Sequence, residues 1–263
     1  MNNIYGIVTN HSSAPRPSTR FAPSGRTAFG ISRNQAYHSI GYAAFISLIS
    51  KLKISFIIGS KMAFFGASHC ISPLIGYYSG ATTTFLTFFM RTIIFALMST
   101  SLPITSLFYH IPTLCASLYF ATYTSTNNIL RNRLAMATIP ILCFMLFYLH
   151  PIGNQALAYT FFWLIPLLSL LITHKNIFIH ALASTFIAHA VGSVIWIYTI
   201  GPKTAAAWLA LIPIVIIERV LFASGMVLCI QLVAALKKHP VAFHTFWKNL
   251  VQSMTTNTIV TNK

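Results

Sequence analysis

The 263-residue sequence predicts an all-α fold: a polytopic membrane helix bundle of seven or eight transmembrane helices, with eight preferred. Three observations carry this. Charged residues make up only 7% of the chain against 56% hydrophobic, where a water-soluble domain is roughly 25% charged. Glu218 is the sole carboxylate side chain, and a surface facing water is hard to build without Asp or Glu. From residue 40 onward, apolar segments follow one another at about the 20 residues that a membrane span needs. The mean hydropathy of +0.73 agrees.

Taken in order, residues 1–39 read as a disordered basic arm, rich in Ser, Pro, Gly and Arg. They lack the apolar core of a secretory signal. An acid-free, Arg- and Ser-rich start is also the composition of an organellar transit peptide, but Pro15, Pro17 and Pro23 oppose an amphipathic helix. An arm held at the inner membrane surface is therefore preferred. Residues 40–236 form the transmembrane bundle, with spans expected near 41–59, 62–79, 81–100, 104–123, 134–150, 155–173, 177–199 and 207–235. The first is the weakest, because Lys51 and Lys53 fall inside it; a tilted or interfacial helix is the alternative. Breaks are marked by Gly76 to Gly80, Pro103, the polar run Thr124 to Arg133, His150 to Asn154, His174 to Asn176, and Gly201 to Lys203. Residues 237–263 form a basic cytoplasmic tail.

Loop charge sets the orientation. Eight spans with the N-terminus inside place Arg16, Arg20, Arg26, Arg33, Arg131, Arg133, Lys175, Lys237, Lys238, Lys248 and Lys263 on the cytoplasmic side, and only Lys61 and Lys203 opposite. This satisfies the positive-inside rule and puts both termini in the cytoplasm. The cell (inner) membrane is the expected location, an organellar inner membrane the alternative. The net charge of +16 is thus assigned to loops, and no nucleic-acid partner is expected. Cys70, Cys115, Cys143 and Cys229 lie far apart inside apolar runs and read as reduced packing thiols.

An ionisable side chain at mid-bilayer is costly and normally faces a partner or cavity. That rule selects His69, Arg91, His189, Glu218 and Arg219. Arg91 follows the hydroxyl-rich "ATTTFLTFFM" and reads either as the structural ion-pair partner of Glu218 or as a site for an anionic group. Glu218 and Arg219 are neighbours about 100° apart on a helix and do not face each other well, which favours the Arg91–Glu218 pair. Ser184, Ala188 and Gly192 recur every four residues, giving a face that a neighbouring helix can approach closely. His189 borders that seam, with Trp196 near the same face. Asn154 and Gln155 sit at a span entrance, with Tyr159 and Trp163 at four-residue steps beyond Gln155. Amide donors and acceptors beside aromatic faces suggest a ligand-binding pocket made of Asn154, Gln155, Tyr159, Trp163, His189 and Trp196. A capping turn followed by an interfacial aromatic belt is the plainer alternative.

Enzyme motifs do not emerge. With no Asp anywhere, a Ser-His-Asp triad is excluded, and the sequence carries no Walker loop, Gly-rich nucleotide fingerprint or HExxH. His180 and His189 are nine residues apart, on opposite faces of one helix. No catalytic residue, metal or cofactor is expected.

The chain resembles the substrate-binding S components of energy-coupling factor (ECF) vitamin transporters. The resemblance rests on "KISFIIGSKMAFFGASHCISPLIGYYSGATTTFLTFFMRT", with its Pro-Leu-x-Gly break, on the AxxxA pattern of Ala63 and Ala67, and on "FIAHAVGSVIWIY" before a final long helix. It implies capture of a small molecule, a vitamin or cofactor precursor, from the outer face. It also implies docking through Ala63 and Ala67 onto a transmembrane coupling subunit, with separate ATPase subunits supplying the energy. S components usually have about six spans, fewer than this chain offers. The competing reading is a non-catalytic multi-pass scaffold or assembly protein, in which Arg91 and Glu218 only hold helices together.

Overall fold

The computed structural model describes residues 31–50, 67–98, 104–125, 129–172 and 176–238. Within them every regular element is helical. In chain order these are α1 (Arg33–Ile49), α2 (Ser68–Met98), α3 (Ile104–Thr124), α4 (Ile129–Leu149), α5 (Pro151–Gln155), a 3-10 helix (Leu157–Trp163), α6 (Leu164–Leu171), α7 (Ile177–Tyr198), α8 (Ala205–Ala210) and α9 (Ile212–Lys238). Among the described residues, four stretches are long and apolar enough to cross a membrane: Ser68–Leu97, Leu130–Leu149, Ile177–Tyr198 and Ala205–Lys238. Most of the predicted arm and tail, the end of the first predicted span, Lys61 and Ala63 lie outside the described residues.

Helix α1 starts earlier than the expected arm boundary at residue 39. The reason is a capping box: the Ser32 hydroxyl accepts from the Gln35 N–H at 3.2 Å, and the Gln35 side chain accepts from the Ser32 N–H at 3.0 Å. Two otherwise orphaned donors are thereby satisfied. Only Ser39, Ala43 and Ile46 of α1 are buried, a narrow stripe that rests on α2.

Helix α2 contains the sharpest feature of the backbone. At Gly80 φ is 76° and ψ is −179°, a conformation open essentially to glycine alone. Ser72 and Ile75 before this residue line the same cavity as Thr84, Thr87 and Arg91 after it. On a straight helix Ser72 and Arg91 would stand roughly 28 Å apart. The two arms, 68–79 and 81–98, therefore lie side by side, in agreement with the break expected between Gly76 and Gly80. Helix α3 packs against them, with the Ser117 hydroxyl donating to Ser72 O at 2.8 Å.

Helix α7 is the axis of the bundle. In its most apolar window 61% of residues are buried, against 17–33% in the other three long helices. Three of its neighbours are tied to it by hydrogen bonds. Ser184 Oγ donates to Ala116 O of α3 at 3.0 Å, Tyr198 OH to Leu146 O of α4 at 2.8 Å, and Arg219 of α9 to Thr185 O at 3.4 Å. Gly192, on the same seam as Ser184, faces Pro112 of α3. The stripe of small residues thus allows the close approach that its spacing predicts.

The bundle has two distinct ends. At one, the Lys237 ammonium lies 5.3 Å from the Tyr78 ring, beside the Gly80 corner, and His180 stacks on Tyr123 at 4.1 Å. At the other, His150 meets Tyr198 at 5.0 Å and Trp196 meets Trp208 at 5.5 Å. Outside the core, Phe89, Leu97, Leu134, Leu149, Leu171 and Leu228 are all more than half exposed. An apolar exterior on this scale suits hydrocarbon better than water.

Candidate functional site

Three of the predicted pocket residues come together around Tyr159. The structure builds this cluster from the 3-10 helix, α4, α7 and α8. A turn at Ala156 (φ −113°, ψ 30°) separates α5, which ends at Gln155, from the 3-10 helix that carries Tyr159 and Trp163, so the register expected of one continuous α-helix is broken between Gln155 and Tyr159. Gln155 and Asn154 are exposed at the bundle end, while Tyr159 and Trp163 are buried at 1% and 2% exposure. The expected grouping of all six residues is corrected accordingly: the two amides stand apart from the aromatic cluster.

Within the cluster, the His189 ring lies 5.3 Å from Tyr159 and 6.2 Å from Phe186, and Tyr159 lies 6.4 Å from Trp163. The Tyr159 hydroxyl shares a hydrogen bond of 3.2 Å with Ser193 Oγ, one turn beyond His189 on α7. Trp208 links Trp196 to Tyr159, packing 5.0 Å from Tyr159 and 5.5 Å from Trp196. Two residues missed in the sequence hold the cluster together. Phe147 of α4 contacts Tyr159, Trp163 and Trp208 at 5.3–5.8 Å. Trp208 is fully buried and donates its Nε1–H to Pro202 O at 3.0 Å. The polar break at Gly201 to Lys203 was the available signal, since it folds the start of the last helix back over the aromatic cluster.

Two polar atoms in this cluster are buried without a hydrogen-bond partner among the described residues: His189 Nε2 and Trp163 Nε1. A buried unmatched donor or acceptor costs about 1–3 kcal/mol, so such groups in a native fold ask for an explanation. Trp163 can only donate, whereas His189 Nε2 donates or accepts according to its tautomer.

Beside the cluster lies the chain's single internal acid. Glu218 Oε2 is 3.4 Å from Arg219 Nη2, with both side chains at most 6% exposed. This corrects the expected Arg91–Glu218 ion pair. The 100° between neighbouring Cα–Cβ directions is overcome by the length and flexibility of the two side chains. Arg219 also reaches Thr185 O at 3.4 Å and covers the Phe222 ring at 4.9 Å, so its charge is held on the α7 face one turn from His189. Arg91 lies elsewhere, in a niche between α1, α2 and α3. Ala67 sits half-buried at the turn before α2.

The fold and this buried polar interior define an integral membrane protein. Comparison of the chain with protein-family models, with curated proteins and with solved structures finds no match.

Proposed function

We propose that this membrane protein is a subunit that captures a small molecule, of the vitamin or cofactor-precursor class, in the manner of an ECF-type S component. The single observation that supports this most is the pair of unmatched polar atoms, His189 Nε2 and Trp163 Nε1, buried among aromatic faces around Tyr159. A planar solute with a polar edge would satisfy both and stack on the rings. Tyr159, Trp163, Phe147 and Trp208 are each at most 2% exposed, so entry would require the end of the bundle carrying Asn154 and Gln155 to open. The basic residues favour an orientation in which that end faces outward. Arg131 and Arg133 follow α3 closely, and Lys237 and Lys238 end α9, all at the opposite end. Energy coupling would then come from a transmembrane subunit docked near Ala63 and Ala67 and from separate ATPases.

The test is a thermal-shift screen of the detergent-purified chain against vitamins and their precursors. The expected result is a compound that raises Tm in the wild type but not in His189→Ala or Trp163→Phe. If no compound does so, solute capture is wrong. The scaffold reading is favoured by one observation, the dense mutual packing of the aromatic rings. It predicts that both variants retain wild-type behaviour and that no solute shifts Tm.

A further inference from the structure

Away from the aromatic cluster, a small cavity opens between α1, both arms of α2, and α3, with Arg91 on its wall. Its free volume is about 20 Å³, room for roughly one water-sized occupant. Arg91 is the eleventh residue of the second arm of α2, some 10–15 Å from either end of it. A guanidinium at that depth needs a counter-charge. The chain cannot supply one from a side chain, because its only carboxylate, Glu218, is held by Arg219.

The hydroxyls around the cavity divide into two sets. Thr84, Thr113 and Ser117 have committed their protons to backbone carbonyls: Thr84 to Gly80 O at 2.9 Å, Thr113 to His110 O at 2.8 Å, and Ser117 to Ser72 O at 2.8 Å. Ser72 Oγ and Thr87 Oγ1, by contrast, are buried at 4% and 3% exposure with no partner among the described residues. Their residues come from opposite arms of α2 and line the same space as Arg91. Arg91 thus lines one space together with two residues whose hydroxyls are uncommitted among the described residues, and Ile46, Ile75 and Phe88 help make the rest of the wall apolar. Donors without a matching acceptor, around one positive charge, suit an anion. A space of this size suits a single-atom anion better than phosphate, sulfate or a carboxylate, and Arg91 stands well inside its helix, away from the ends that would meet lipid headgroups.

We propose that this cavity is a binding site for one monovalent, halide-sized anion, coordinated by Arg91, Ser72 and Thr87. The anion neutralises Arg91 and joins the two arms of α2. This site is independent of the solute-capture reading.

The experiment uses the full chain in detergent, with Tm measured in chloride, bromide, gluconate and phosphate at matched ionic strength, and with retention of radiolabelled chloride on a desalting column. Chloride and bromide are expected to raise Tm over gluconate by about 2–4 °C at roughly fivefold excess over the dissociation constant, while phosphate matches gluconate. Arg91→Gln should abolish the difference and the retained label. If that variant does not fold, Ser72→Ala with Thr87→Val keeps the charge, removes both donors, and should weaken chloride binding at least tenfold. Equal Tm in chloride and gluconate with no retained label would mean that the cavity holds only water, and the proposal fails. It also fails if phosphate or anionic lipid stabilises and chloride does not, or if the chloride effect persists in both variants.

Discussion

The packing of α3 against the first arm of α2 can be tested by a single methyl group. At Gly76 an added Cβ would lie 1.7 Å from the Ser117 carbonyl oxygen and 2.6 Å from its carbon. Both atoms are backbone, so no side chain can swing aside. Ordinary contact begins at 3.4 Å, and the two helices would have to part by about 1.7 Å to restore it. That movement would carry the 2.8 Å bond from Ser117 Oγ to Ser72 O beyond hydrogen-bonding reach, a loss of about 1 kcal/mol. Together with the broken packing, Gly76→Ala should cost about 3–5 kcal/mol, the upper range for one substitution. Unfolding by SDS titration in mixed micelles, followed by tryptophan fluorescence, would measure it. Gly41→Ala provides the control, because nothing lies within 4 Å of its added Cβ and a mid-helix Ala is favoured by about 1 kcal/mol. If Gly76→Ala proved as stable as Gly41→Ala, the close approach of α2 and α3 described above would be wrong.

The remaining predictions concern the corner, the ion pair and the aromatic cluster. Gly80→Ala meets no atom within 4 Å, yet φ of 76° with ψ of −179° should cost about 1–3 kcal/mol; an unchanged unfolding midpoint would contradict the corner. Glu218→Gln leaves Arg219 buried without its anion and should destabilise by about 3 kcal/mol, read as lower folded yield on size-exclusion chromatography. Replacing both by Leu and Met should recover most of that yield. Tyr159→Phe removes the 3.2 Å bond to Ser193 and should lower stability by about 1 kcal/mol. Trp163→Phe removes an unmatched donor along with ring area, so a stability within about 1 kcal/mol of wild type is expected; a loss above 3 kcal/mol would mean that the indole N–H has a partner.

Much of the fold was legible because its punctuation is chemical. Gly80 breaks α2 within the Gly76 to Gly80 stretch where a break was expected, and polar or Pro-containing stretches separate α4, α7 and the start of α8. His189 was expected to border the small-residue seam of α7 and not to face lipid squarely, and its side chain is buried. Other features were hidden for definite reasons. Spacing rules presume one continuous α-helix, so the turn at Ala156 that separates Gln155 from Tyr159 could not be inferred from four-residue steps. Phe147 and Trp208 meet Tyr159 from separate helices, and no periodicity within one span reports on such contacts. The capping box at Ser32 and Gln35 was readable, but the Ser- and Arg-rich composition around it masked it. The Glu218–Arg219 pair shows that adjacent long side chains can close an angle that their backbone directions leave open.

The Gly80 corner has a practical consequence. Thr82, just beyond it, is exposed, and the corner shares its end of the bundle with Lys237. Among the native thiols, Cys70 and Cys143 are buried and Cys115 and Cys229 half-buried, so background labelling from these four should be slow. A single cysteine at position 82, probed in intact cells with a membrane-impermeant maleimide, would therefore report which compartment this end faces. Because α3, α7 and α9 are anchored to that end by the contacts described above, one labelling reaction would fix the inside-out sense of the whole bundle.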